Sequence, residues 1–81
     1  MMQYYVIMCA GHELNFRFYL KGDTLAHAVE AAMKDKRSWF QENFQDLTPR
    51  QILKAIRDNE LGGAEEVVVF VSDAEISETK K

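Results

Sequence analysis

The chain has 81 residues, 47% of them hydrophobic, and carries a net charge of −3 at pH 7. That length suits one small core, in which about 60 to 65% of the unfolded surface is buried. The single cysteine, Cys9, excludes an internal disulfide and with it the disulfide-stapled secreted scaffolds. No run approaches the roughly 20 apolar residues of a membrane-spanning helix. No Lys or Arg precedes the apolar start, as a signal peptide would require. The expectation is a single cytoplasmic domain over residues 1–81, away from the membrane. The acidic balance gives no drive toward phosphates, so direct nucleic-acid binding is not expected.

From Gln3 to Ala10, "QYYVIMCA" is apolar at nearly every position, as in the central strand of a sheet. "GHE" at Gly11 to Glu13 reads as a tight hairpin connection. The following run alternates, with Leu14, Phe16, Phe18 and Leu20 on one face and Asn15, Arg17, Tyr19 and Lys21 on the other. Gly22 ends this strand, and Asp23 or Thr24 can cap a new helix. That helix has a stripe of Leu25, Ala28, Val29, Ala32, Met33, Trp39 and Phe40, and extends as far as Phe44, with Ser38 as its weak point.

"DLTPRQILKAIRDNELGG" starts a second helix, with Thr48 as cap and Pro49 in the first turn, where its missing N–H costs nothing. Ile52, Leu53, Ile56 and Leu61 form its apolar stripe, and Gly62-Gly63 offers a left-handed stop. "EEVVVFVS" reads as a strand near the sheet centre or covered on both faces. Residues 73–81 have little to bury and are expected to form a tail. The predicted fold is α+β, with the order β-β-α-α-β. Its three-stranded sheet is ordered 2-1-3, and both helices pack on one face.

Chemistry is sparse. Cys9, His12 and His27 are the available nucleophile and bases, but Cys9 sits in an apolar strand where a thiolate is disfavoured. The histidines read as solvated surface residues. No paired Cys or His spacing suits zinc, no calcium loop occurs, and no Gly-rich phosphate loop opens a helix. The reading is non-enzymatic, with no catalytic residues, cofactor or metal. Arg50, Lys54 and Arg57 make a basic stripe on the second helix, read as a solvated face with Asp46 and Asp58 near enough in sequence to pair with it. From Asp58 to Glu78 every ionisable side chain is acidic.

Helices on one side leave the other sheet face without cover. Arg17, Tyr19, one of Tyr4 and Tyr5, and alternate residues of Val67 to Val71 would lie there. Tyr and Arg are enriched at interface hot spots. A second copy, a protein partner or water alone can meet such a face. The candidate partner-binding residues are Arg17, Tyr19 and Tyr4 on the sheet, and Glu65, Glu66, Asp73 and Glu75 in the acidic segment.

The module "FRFYLKGDTLAHAVEAAM", Phe16 to Met33, resembles small accessory proteins of bacteriophages and other mobile elements, including anti-CRISPR proteins and inhibitors of host RNA polymerase. The resemblance carries over no functional residue. It implies a stoichiometric inhibitor or adaptor in the host cytoplasm, bound to a protein surface of a host or defence complex, with the carboxylates of Asp58 to Glu78 competing for cations that otherwise hold phosphates. The alternative is a homodimeric structural or small-ligand-binding regulatory domain.

Overall fold

A computed structural model describes residues 2–12 and 14–72 of the chain. Strands β1 (Gln3–Gly11), β2 (Leu14–Gly22) and β3 (Glu66–Ser72) form an antiparallel sheet in the order β2-β1-β3, and helices α1 (Leu25–Lys34), α2 (Trp39–Asn43) and α3 (Pro49–Arg57) lie between β2 and β3 in sequence. The α+β class, the strand order and the central place of β1 agree with the sequence reading.

The pleat decides which residues meet the helices. Tyr5, Ile7 and Cys9 of β1 are buried, and the register sets them beside Leu20, Phe18 and Phe16 of β2 and Val71, Val69 and Val67 of β3. Ala28 and Val29 of α1, Phe40 of α2, and Ile52 and Ile56 of α3 close over this face, with Phe44 and Leu61 completing the core. Phe18 is its aromatic hub, with ring centroids 4.7 Å from Trp39, 5.2 Å from Phe40 and 5.3 Å from Phe44.

The strand-to-helix joint at 22–25 is tight. Thr24 caps α1, its side chain accepting the His27 N–H at 3.1 Å. A Cβ on Gly22 would lie 2.5 Å from the Ala28 nitrogen and 2.7 Å from its Cα, so only glycine lets β2 run this close to α1.

Two local predictions need correction. The long first helix is divided in two, because Asp35 and Ser38 bond the backbone more locally than a helix does. The Asp35 carboxylate accepts the Arg37 N–H at 2.9 Å, its carbonyl accepts the Ser38 N–H at 2.9 Å, and the Ser38 hydroxyl caps α2 by accepting the Gln41 N–H at 3.4 Å. Trp39 and Phe40 thus belong to a separate short helix, which buries Phe40 in the core and packs Trp39 against it.

The second correction concerns the end of α3, which stops at Asn59 rather than at the glycine pair. Asn59 is left-handed (φ 58°), its N–H bonds the Ile56 carbonyl at 3.2 Å, and the Glu60 N–H bonds the Ala55 carbonyl at 2.8 Å. Gly62 and Gly63, also at positive φ, shape the following turn over Leu61–Gly63. At the other end Thr48 and Gln51 form a reciprocal capping box.

Candidate functional site

The second sheet face is built by the residues of opposite parity. The register lays them out in cross-strand rows: Lys21, Tyr4 and Ser72; Tyr19, Val6 and Phe70; Arg17, Met8 and Val68; Asn15, Ala10 and Glu66. None of these side chains is buried, although Val6, Met8, Val68 and Phe70 give the face an apolar centre. Arg17 and Lys21 place positive charge on the β2 side, and Glu66 places negative charge on the β3 side.

Most of the residues singled out in the sequence meet here. Arg17, Tyr19, Tyr4 and Glu66 share this one face. Of the two N-terminal tyrosines, Tyr5 faces the helices and is only 6% exposed. Glu65 stands just before β3, exposed, with its N–H donating to the Ala10 carbonyl at 2.9 Å. Asp73 and Glu75, like the expected tail at 73–81, lie outside the described residues.

β3 is an edge strand, as the order 2-1-3 requires, with Phe70 49% and Val71 56% exposed on opposite faces, so the reading of its apolar run as central or doubly covered does not hold. The apolar run alone does not separate the two cases, because a buried strand and an uncovered apolar edge have the same composition. The missed members of the face are Val6 and Met8, while Val68 and Phe70 are one of the two alternating sets of Val67 to Val71 that the sequence left open. Their parity follows once Ile7 is known to point into the core.

The outer rim of β3 is capped at one point. The Val67 N–H donates to the Asn59 side-chain oxygen at 3.0 Å, joining the rim to the end of α3.

Elsewhere the surface offers less. Cys9 is 1% exposed beneath the helices, and burial pushes its thiol above the usual range, which keeps it neutral and poorly nucleophilic. His12 and His27 are exposed. Among the described residues no cluster of His, Cys, Asp or Glu is arranged to hold a metal ion. No helix among them is long and apolar enough to cross a membrane.

A groove of about 530 Å³ runs between α1 and α3, with His27, Glu30, Arg50, Leu53, Lys54 and Arg57 along it. Its basic stripe is partly answered from within. The Asp58 carboxylate lies 2.7 Å from the Lys54 Nζ and 3.7 Å from the Arg57 Nε. The hydrogen bond between Lys54 and Asp58 holds the Asp58 carboxyl below the usual carboxylate range and raises the Lys54 ammonium. An exposed pair of this kind adds little to stability.

Compared with protein-family models, curated proteins and solved structures, the chain matches none of them.

Proposed function

We propose that this chain is a non-enzymatic protein-binding module that acts by occupying a surface of a larger complex. The observation that carries this reading is the sheet face left uncovered among the described residues, an apolar centre of Val6, Met8, Val68 and Phe70 bordered by Tyr4, Tyr19 and Arg17. A small domain gains nothing in stability from holding such residues in water, whereas a partner surface desolvates them at a gain of roughly 25 cal/mol per Å². Tyrosine and arginine at the border supply anchors of the type that dominates binding energy.

The likeness of Phe16 to Met33 to phage accessory proteins favours an inhibitor of a host or defence complex, of anti-CRISPR or transcription-inhibitor type. The acidic residues Glu65 and Glu66 suit cationic partner surfaces, and the net charge of −3 disfavours direct contact with nucleic acid.

The test is capture of partners by the tagged chain from host-cell lysate, with and without nuclease, beside the Tyr19→Ala variant. The expected result is one stoichiometric protein complex that survives nuclease and is weakened by the substitution. Recovery that depends on nucleic acid, or capture unaffected by any substitution on the face, would remove this reading.

A further inference from the structure

The face alone is a small contact. With strands about 4.8 Å apart and about 3.3 Å per residue, a three-stranded sheet of this length presents on the order of 350 Å². That is about half of what each partner contributes to a standard interface. A partner held there needs a second contact, and the rim of β3 adjoins the face.

Three observations converge on that rim. No strand lies outside β3 among the described residues, so its outer backbone groups face away from the sheet. The direction of those groups follows from Val67, whose N–H points outward to Asn59. In an antiparallel ladder alternate residues turn the same way, so Val69 and Val71 also point outward, while Glu66, Val68 and Phe70 bond toward Ala10, Met8 and Val6. Finally, "EVVVFVS" has no Pro, Lys or Arg to blunt it, whereas the opposite edge, β2, carries Arg17 and Lys21.

Charge selects the occupant. The rim begins beside the exposed carboxylates Glu65 and Glu66. The β3 strand of a second copy would bring another Glu66 and no lysine or arginine to the rim. Pairing in parallel would set glutamate against glutamate. Like charges directly across a strand pair are destabilising and opposite charges favourable.

We propose that the outer rim of β3, from Val69 to Val71, accepts an extended strand of another protein whose apolar centre is flanked by lysine or arginine. Backbone hydrogen bonds to Val69 and Val71 supply the register, Phe70 and Val71 grip the added strand from its two faces, and Glu65 and Glu66 select the charge of the flank beside them. This deepens the reading of the chain as a protein-binding module and rests on it.

The probe is a short synthetic peptide of alternating valine and threonine with paired lysines at each end, compared with a twin bearing glutamates. Amide-resolved NMR with hydrogen exchange follows Val69 and Val71. The expected result is slowed exchange at these two amides and binding of the lysine peptide at least about tenfold tighter than its twin at low salt. Val71→Pro removes only an outward N–H and is expected to abolish binding while the melting temperature is largely kept; Val71→Lys, which blunts the edge without a proline, provides the same test if the first variant folds poorly.

Equal affinity for the two peptides, or binding unchanged in a folded Val71 variant, overturns the proposal. So does a concentration-dependent dimer that Val71→Pro dissolves, since the occupant is then a second copy. A cellular partner lost with Tyr19→Ala but kept with Val71→Pro overturns the rim and leaves the module reading intact.

Discussion

The Asn59 side-chain oxygen accepts the Val67 N–H at 3.0 Å from a residue whose own backbone is left-handed, so one residue both ends α3 and pins the rim of β3. Its two roles separate by substitution. Asn59→Gly keeps the backbone conformation and loses the side-chain bond, at about 1 kcal/mol. Asn59→Ala loses the bond and also strains the left-handed backbone, and is expected to fall about 1 kcal/mol further. Equal unfolding midpoints in denaturant for the two variants would mean that the turn relaxes without strain.

The aromatic hub has a centre and a margin. Phe40 is fully buried, 5.2 Å from Phe18 and 5.0 Å from Phe44 between ring centroids, whereas Phe16 is 37% exposed. Phe40→Ala is expected to lose about 3 to 5 kcal/mol in chemical denaturation. Phe16→Ala should cost far less, even though both are phenylalanines touching the same cluster.

Gly22 makes a sharper demand than its place at a strand end suggests. Its Cβ position is occupied by Ala28 backbone, which cannot rotate away as a side chain can. Gly22→Ala is expected to cost about 1 to 3 kcal/mol through displacement of α1. Lys21→Ala, one position earlier and exposed, serves as the near-neutral control in the same melting experiment.

Cys9 makes the fold sensitive to alkali. Its thiol is raised in the folded chain, so above the ordinary thiol pKa of about 8.5 the unfolded chain loses this proton while the folded chain keeps it. Stability from this group is full below that range and declines as pH rises toward the folded value. Cys9→Ala should flatten the decline, and native Cys9 should react with a thiol reagent only as fast as the domain opens. Prompt labelling under native conditions would contradict the burial of Cys9.

On the open face, Tyr19→Ala is expected to weaken partner binding by at least about 1 to 2 kcal/mol with little change in melting temperature. A collapsed melting temperature with affinity intact would place Tyr19 in the core. Reversing Glu65 and Glu66 to lysine tests the acidic end separately, and the effect should shrink as salt rises.

Elements with strong periodic or capping signals were legible before any coordinates: the alternation of β2, the Thr48-Pro49 start of α3, and the stripe of Ala28, Val29, Ile52 and Ile56. So was the composition of the open face, since Arg17 and Tyr19 lie on the polar parity of β2. What failed depended on competition between local and regular bonding. Asp35 and Ser38 divide a helix that periodicity alone would continue, and Asn59 ends one where the glycines looked better suited. The exposure of β3 was legible only from the strand order 2-1-3, which puts it at the edge, and not from its own apolar run. An apolar strand records what its side chains prefer but not whether a neighbour is present, and that depends on where the rest of the chain runs.

The central place of β1 sets the order of assembly. Its partner on one side follows after a short hairpin, but Ile7 meets Val69 only after all three helices have been laid down between them. During synthesis β1 must therefore wait, with one flank unpaired, for β3, the last of the described elements, to appear. Closing so long a loop is entropically costly, which makes the arrival of β3 the natural slow step of folding. Until then the half-made sheet is at its most vulnerable to aggregation.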